Sequence, residues 1–348
     1  MRKLIYTAVL SLIVLLCSAC SGEQALHFEK SDIVMDTAVT LSADGPKAQQ
    51  TVEESLKKLH ELDEMASTEI ETSDVARINQ AAGKEYVQVH PEIYKMIETA
   101  VAYSEKSNGA WDITVGPLIQ LWGIGTDHAR LPSQEEIAVK LALVDYKKIL
   151  LRPADHSIML RDPGMSIDLG GIAKGFASDE VLKIYKKYEV KDGLINLGAS
   201  SLYAIGKNKK GQPWAIGLKH PRSDKENDYL GIVKISDEAL STSGDYERFF
   251  IEHGKRYHHI LDPKTGYPAE NGAMSDTVVV DGSEPDNGMI SDIITTVLFV
   301  LGPQKGIEFL NNEPHISGEI TGTDNKIYTA DGFREKLFDL DKDFIFGN

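Results

Sequence analysis

Apolar residues recur at helical spacing in several segments of the chain. The pattern predicts helices over 46–65, from Pro91 to Asn108, after the capping box Ser133-x-x-Glu136, and over 291–301. Another amphipathic run, from Ala177 to Tyr185, predicts a helix that begins in or just after a glycine-rich stretch. In contrast, segment 67–79 is polar and predicts a loop, and segment 109–125, which holds two tryptophans and four glycines, predicts irregular backbone.

Short strands separated by turn residues account for most of the remaining chain. They are expected at 33–41, 147–152, 157–161, 194–197, 201–205, 214–218, 231–235, 239–243, 249–253, 257–261 and 278–280. Runs of strands interrupted by single long helices predict an α+β fold with largely antiparallel sheets and packed helices. The sequence has no fixed-period repeat and no glycine- or serine-rich linker that would mark a domain boundary.

The N-terminus has the pattern of a bacterial lipoprotein signal. A basic start and a short apolar run precede Cys20, which follows Ser18 and Ala19. We therefore expect residues 1–19 to be a signal peptide, Cys20 to be lipidated, 20–30 to be a tether and 31–340 to be the functional domain, with room for two subdomains. A cleaved signal without a lipid is the alternative. Either way the mature protein is expected outside the cytoplasm, and lipidation would anchor it to a bacterial membrane.

Composition narrows the chemistry. Lys+Arg 37 against Asp+Glu 53 gives a net charge of −16, which argues against nucleic acid as a partner. The only two cysteines, Cys17 and Cys20, lie in the signal region, so the mature domain lacks a thiolate nucleophile or metal ligand. Any metal must be held by oxygen or histidine ligands, and oxygen ligands favour Mg²⁺ or Ca²⁺.

The stretch from Ser166 to Gly175 combines charge with exposed backbone. Asp168 and Lys174 flank the pair Gly170-Gly171 just before a predicted helix. Glycines allow close approach of a ligand to the backbone, and a helix start attracts phosphate. The stretch therefore predicts a phosphate-binding loop, with an ordinary strand-to-helix turn as the alternative.

Asp292 and Thr296 stand four residues apart in the apolar helix 291–301. At this spacing their oxygens share one helix face. A carboxylate in a mostly buried helix needs compensation, and a hard cation would supply it. The alternative is that Asp292 only caps the start of the helix.

Seven separated motifs together resemble the ApbE family of FAD:protein FMN transferases over about 35–302. They are Met35-Asp-Thr37, Gly109-Ala-Trp-Asp-Ile-Thr-Val-Gly-Pro117, Asp168-Leu-Gly-Gly-Ile-Ala-Lys-Gly175, Leu194-Ile-Asn-Leu-Gly198, Ser241-Thr-Ser-Gly-Asp-Tyr246, His259-Ile-Leu-Asp-Pro-Lys-Thr-Gly266 and Asp292-x-x-x-Thr296. The resemblance implies a T-fold-like ApbE architecture and a Mg²⁺-dependent enzyme. Such an enzyme moves FMN from FAD to a threonine or serine of an acceptor protein outside the cytoplasm and releases AMP.

The resemblance also implies roles for individual residues. The metal ligands would be the carbonyl of Gly171 and the side chains of Asp292 and Thr296, with Asp292 counted as catalytic. The proton acceptor would be His259, which a strand over 257–261 would point away from His258. The flavin-binding positions would be Met35, Ala110, Trp111, Asp112, Asp168, Lys174 and Ile260.

The chain departs from the family pattern at two places, and two other functions remain as alternatives. Glu69 stands where an aromatic residue is often found, and Ala199-Ser200 replaces a common Gly-Asp. Water could replace the acceptor hydroxyl, which would make the protein an FAD pyrophosphatase that yields FMN and AMP. A lipoprotein that binds flavin without catalysis is the other alternative.

Overall fold

The computed structural model describes residues 26–225, 228–330 and 332–347. Within them, one large sheet has nine strands, numbered here in chain order. Their order across the sheet is β1 (His27–Val34), β2 (Thr37–Asp44), β6 (Gly193–Leu197), β7 (Ser201–Ile205), β10 (Glu238–Gly244), β13 (Ala273–Asp281), β14 (Ile316–Gly322), β15 (Lys326–Ala330) and β17 (Ile345–Phe346). All neighbours pair antiparallel except β15 and β17. The predicted signal peptide and Cys20 lie outside the described residues.

Smaller sheets surround the large one. One contains β3 (Val87–Gln88), β4 (Ile149–Arg152) and β5 (Ser157–Leu160), and a second contains β8 (Trp214–Lys219), β9 (Tyr229–Ile235) and β16 (Leu337–Phe338). A separate hairpin is formed by β11 (Phe249–Glu252) and β12 (Lys255–His258). Leu218 and Val233 of the second sheet share an apolar cluster with Leu202 and Val279, so this sheet packs on the nine-stranded one.

The helices of the described residues are α1 (Ala48–Ala66), α2 (Asp74–Gln80), α3 (Pro91–Lys106), α4 (Gly116–Trp122), α5 (Gln134–Leu141), α6 (Ala173–Lys187), α7 (Asn287–Leu310) and α8 (Phe333–Lys336). Helices α1, α6 and α7 cover the opposite face of the nine-stranded sheet, whereas Phe333 of α8 shares the apolar cluster of the second sheet. Helix α1 packs on β1, β2 and α6, while α6 packs on α7. The α+β prediction with largely antiparallel sheets is therefore confirmed.

Helix α7 is the central helix of the fold. By length and composition it is the one helix among the described residues that could cross a membrane, but most of it is buried against β10, β13 and β14. Its apolar character is thus that of a core helix. The backbone leaves helical geometry at Gly302 (φ 74°), just before Pro303, which kinks the element where the sequence predicted its end.

The predictions for segments 33–41 and 67–79 were wrong. Met35 and Asp36 form a two-residue turn between β1 and β2, with φ of 54° and 55°, instead of continuing one strand. Segment 67–79 contains α2, because the hydroxyl of Ser73 caps it by accepting from the Ala76 amide and because its apolar side chains are buried.

Segment 109–125 is more regular than its glycines indicated. It forms a 3₁₀ turn (Ile113–Val115) followed by α4, and Gly123 ends that helix in the left-handed conformation. Trp122 is fully buried and donates from Nε1 to the carbonyl of Gly266 at 2.8 Å. Trp122 is therefore a core residue.

Candidate functional site

One end of the nine-stranded sheet collects polar side chains beneath helix α7. Ser201 on β7 pairs in register with Ser241 on β10, and both hydroxyls donate to Oδ1 of Asp292, at 2.5 Å and 3.0 Å. Asp292 lies in the second turn of α7, which begins at Asn287, so it does not cap the helix start. Its carboxylate is almost fully buried, at 6% exposure, and is compensated by these donors.

The crossing of α6 and α7 fixes the second oxygen of the carboxylate. The amide of Gly175 donates to Asp292 Oδ2 at 2.7 Å. The helices approach so closely here that a Cβ on Gly175 would lie 2.1 Å from the carbonyl oxygen of Gly288. Glycine is needed at this crossing for the backbone of α6 to reach the carboxylate.

The glycine-rich stretch comes close to Thr296 and Trp111. A Cβ on Gly171 would lie 3.6 Å from Thr296 Oγ1 and 3.2 Å from Trp111 Nε1. The glycine, the threonine hydroxyl and the Asp292 carboxylate thus lie on neighbouring elements at one site. Carboxylate, hydroxyl and carbonyl oxygens form the donor set that Mg²⁺ prefers, so these residues fit the predicted ion.

Asp168 and Lys174 stabilise the loop that precedes α6. Asp168 accepts the Gly170 amide at 2.8 Å, and Lys174 Nζ lies 3.4 Å from the Gly170 carbonyl oxygen. The Asp168 amide in turn donates to the carbonyl of Ile113 at 2.8 Å, which ties this loop to the segment that follows Trp111. The positive end of α6 and the ammonium group of Lys174, in its first turn, therefore both lie beside this loop.

The predicted flavin-binding run 110–112 is built into the protein interior. Both oxygens of Asp112 are engaged, one by the amide and hydroxyl of Thr114 and the other by the amide of Tyr146. Burial raises the pKa of Asp112. Its side chain holds the loop in shape, and Trp111, at 5% exposure, belongs to the main apolar cluster. Ala110 and Ile260 share one buried apolar cluster.

Met35 lies in the turn between β1 and β2. Its amide donates to Asp63 Oδ2 on α1 at 3.0 Å. A Cβ on Gly198, between β6 and β7, would contact Thr37 Oγ1 at 2.3 Å, so this turn lies at the same sheet end as Ser201. The wrongly predicted continuous strand would have placed Met35 in the middle of the sheet.

The adjacent histidines have separate environments, although strand β12 ends at His258 rather than continuing through His259. His258 is buried, with its Nε2 3.0 Å from the carbonyl oxygen of Ala269 and its ring edge-on to Phe299. The amide of His259 donates to the carbonyl of Arg248 at 3.0 Å. Burial, followed by the charges of Arg248, His258 and Lys174, lowers the pKa of His259 to about 3.

The structure shows the surroundings of Glu69 and Ala199, the two places where the sequence departs from the family pattern. Glu69 is exposed, and its amide donates to Ser67 Oγ at 3.1 Å. Ala199 adopts φ 57° and donates its amide to Asn196 Oδ1, so the turn keeps a left-handed residue where glycine would be easier. That conformation costs an alanine roughly 1–2 kcal/mol.

The sequence interpretation missed the groups that surround the Asp292 carboxylate. Ser201, Ser241 and the Gly175 amide come from three distant parts of the chain, and only strand register and helix crossing bring them together. Ser241 and Gly175 belong to two of the seven family motifs, and this membership was the only indication in the sequence that they are near the site.

Comparison with known proteins agrees with this architecture. The family model described as "ApbE family" matches residues 35–318. An FAD:protein FMN transferase from Klebsiella pneumoniae is 36% identical over 272 residues, covering 78% of this chain and 82% of the relative. One from Treponema pallidum is 29% identical and covers 98% of both chains.

Solved structures give the same result. The ApbE protein from Thermotoga maritima superposes with a TM-score of 0.80 at 32% identity, covering 89% of this chain and 99% of that one. The flavin transferase ApbE from Vibrio cholerae superposes with a TM-score of 0.79 at 27% identity, covering 90% and 100%. The chain therefore belongs to the ApbE family, and the family predicted from its motifs is confirmed.

Proposed function

We propose that this protein transfers FMN from FAD to a threonine or serine hydroxyl of an acceptor protein outside the cytoplasm, with Mg²⁺, and releases AMP. Use of FAD for flavin transfer follows from membership of the family. The observation that carries the proposal is the oxygen site at the crossing of α6 and α7, where Asp292, Thr296 and Gly171 meet beside a helix start.

The reaction is the displacement of AMP from FAD by the acceptor hydroxyl, and the protein must meet three requirements for it. The acceptor oxygen forms a bond to the FMN phosphorus, the bond from that phosphorus to the bridging oxygen breaks, and AMP leaves with the electron pair. The phosphates must be positioned in line, their charge must be offset, and the hydroxyl proton must be removed. When bound, Mg²⁺ supplies charge neutralisation of the phosphate oxygens, with Asp292, Thr296 and the Gly171 carbonyl as its protein ligands.

His259 is suited to removing the proton. Its low pKa keeps the imidazole neutral, so it has a free lone pair across the physiological pH range. An anionic diphosphate bound nearby favours the imidazolium and raises the basicity of the ring. His258 is held by Ala269 and Phe299 in the core, which leaves His259 as the candidate of the pair.

A location outside the cytoplasm is proposed from the N-terminal sequence. The basic start, the apolar run and Cys20 support export and lipidation, and a lipid on Cys20 would hold the enzyme at a membrane surface where its acceptor is also exposed. Globomycin-sensitive processing of the precursor, together with loss of membrane association in Cys20→Ser, tests this part. A soluble exported wild-type protein would overturn the lipidation, and a wild-type protein retained in the cytoplasm would overturn the location.

The activity is tested by incubating the enzyme with FAD, an exported acceptor flavoprotein and either Mg²⁺ or EDTA. We expect the acceptor to gain the mass of FMN less one water only with Mg²⁺, and an acceptor lacking the target hydroxyl to remain unmodified. AMP formation without a modified acceptor would favour the pyrophosphatase, and binding without AMP would favour the non-catalytic flavin carrier.

A further inference from the structure

Arg248 lies next to the candidate base but is absent from the sites predicted above. It occupies the link between β10 and β11, and its carbonyl oxygen accepts the amide of His259 at 3.0 Å. The loop carrying Arg248 and the residue after β12 are thereby held side by side. The backbone of Arg248 therefore lies beside that of His259, and the positive charge of Arg248 is among the causes that lower the pKa of His259.

The side chain of Arg248 is guided by a glycine on another loop. A Cβ on Gly125 would lie 3.0 Å from Arg248 Cδ, 3.6 Å from Cγ and 3.7 Å from Cβ. The whole stem therefore runs along the Gly125 backbone, which has φ 90°. This contact limits the directions in which the guanidinium can point.

The charge of Arg248 is not offset by a carboxylate within the described ranges, in contrast to two neighbouring arginines. Arg222 and Arg256 both bind Asp245, with Nη1 to Oδ1 distances of 2.7 Å and 3.0 Å, whereas Arg248 forms no ion pair there. Among the same described residues, Lys174 also forms no ion pair, and its ammonium group donates to the Gly170 carbonyl. In a protein of net charge −16, two unpaired cations that both act on His259 mark a local site for an anion.

We propose that Arg248 is a substrate-binding catalytic residue whose guanidinium, together with Lys174, binds the diphosphate of FAD and stabilises the AMP phosphate as it leaves. The inference rests on the proposed function. Arginine suits this task because it stays charged and presents paired donors to phosphate oxygens. It neither gains nor loses a proton, so the acceptor proton still passes to His259 and the bond-breaking electron pair still leaves with AMP.

The test separates the side chain from the backbone contact. Arg248→Gln keeps the carbonyl that binds His259 and removes the charge. We expect its affinity for FAD and ADP to fall about tenfold or more, as for loss of a charged hydrogen bond, while its affinity for riboflavin, which lacks phosphate, stays unchanged. Its kcat for AMP release should fall by about 10²–10³-fold. Arg161→Gln, which removes an exposed arginine paired with Asp162, is the matched control and should match the wild type.

Arg248→Lys keeps the positive charge without the fork of donors. It should retain most of the FAD affinity but lose part of kcat, and it serves as the test if the glutamine variant does not fold. Wild-type FAD affinity and kcat in either folded variant would overturn the proposal, as would an equal loss of riboflavin and FAD affinity. Because the ligand titrations need no turnover, they distinguish failure of this inference from failure of the transferase assignment.

Discussion

At the scale of single residues, Asp292 combines a structural and a chemical task. Its two oxygens accept from the Gly175 amide and from the hydroxyls of Ser201 and Ser241. All three donors are neutral, and carboxylate oxygens are among the ligands that a hard cation prefers. Removal of the side chain therefore affects both ion binding and folding.

Asp292→Ala is expected to abolish Mg²⁺-dependent AMP release and to lower the free energy of unfolding by about 1–3 kcal/mol, since buried donors lose their acceptor. Isothermal titration with Mg²⁺ and urea unfolding measure the two effects. Asp292→Asn, which keeps one acceptor oxygen, should recover part of the stability but not the turnover. Full Mg²⁺-dependent activity in the alanine variant would show that the ion binds elsewhere.

For His259 the expected outcome is a pH profile that changes with the substrate bound. In the free enzyme the pKa of His259 is about 3, so protonation of His259 should not make kcat/KM decrease near pH 6.5. Bound diphosphate raises that pKa, and the acid limb of kcat should therefore lie at higher pH than that of kcat/KM. His259→Gln should bind FAD normally and turn over slowly. Coincident acid limbs near pH 6.5 would contradict this account.

Residue spacing revealed Asp292 and Thr296 because positions four apart on a helix share a face. It could not reveal Ser201 or Ser241, since a serine in a strand has no distinctive pattern until a partner strand sets its register. Arg248 was missed for a related reason. Its importance depends on having no acidic partner, and Asp245, which binds the two other arginines, is only three residues away along the chain.

At the scale of secondary-structure elements, the crossing of α6 and α7 sets the geometry of the site. Gly175 and Gly288 lie back to back, and a Cβ on Gly288 would in turn be 2.1 Å from Ser178 Oγ. Asp179 reinforces the contact by accepting the amides of Gly288 and Met289 at the start of α7, both at 2.9 Å. The second helix is thus positioned from the first.

Gly175→Ala should force these helices apart, because the added methyl group would clash with the Gly288 carbonyl. We expect a loss of about 1–3 kcal/mol in unfolding free energy and a larger relative loss of Mg²⁺-dependent turnover, since Asp292 would move with α7. Lys186→Ala, on the exposed side of the same helix, is the control. Equal activity of the two variants would show that the crossing does not position the site.

Helices were more predictable than turns. The periods of α1, α3, α6 and α7 are evident in the sequence, whereas the Met35-Asp36 turn lacks the Asn-Gly or Asp-Gly signal of a two-residue hairpin. Helix α2 was missed because it is only seven residues long, from Asp74 to Gln80. Short elements of this kind are determined by packing and capping more than by their own pattern.

At the scale of the whole molecule, buried acids link stability to pH. Glu319 on β14 and Asp276 on β13 are fully buried in the sheet interior. Burial raises the pKa of Glu319 to about 8 and raises that of Asp276 well above its usual value. Burial likewise raises the pKa of Asp179 to about 7. Each group favours folding while it is protonated.

The sign of the effect follows from these raised values. The contribution of Glu319 is complete below its ordinary pKa of 4.5 and is lost as the pH rises through about 8. The midpoint temperature of thermal unfolding should therefore decrease as the pH is raised from 6 to 9. Glu319→Gln should show a smaller decrease, because glutamine stays neutral. Calorimetry across this range measures it. A wild-type midpoint that rises with pH, or a variant with an unchanged slope, would contradict the assignment.

The class of fold could be predicted from the succession of elements, but the sheet order could not. Strand β10 lies between β7 and β13, although β8 and β9 separate it from β7 in the chain and β11 and β12 separate it from β13. Which strands leave to form their own sheets depends on long-range packing, and register is set by burial on both faces. Because the site lies at one end of this sheet, its geometry depends on both the strand order and the register.

The transfer itself is tested most directly by quantifying AMP and flavin-modified acceptor in the same reaction, with wild-type enzyme, FAD, Mg²⁺ and an exported acceptor flavoprotein. The account predicts equal amounts of both products and neither product with Asp292→Ala. AMP in excess over modified acceptor, or modified acceptor formed by the alanine variant, would contradict it.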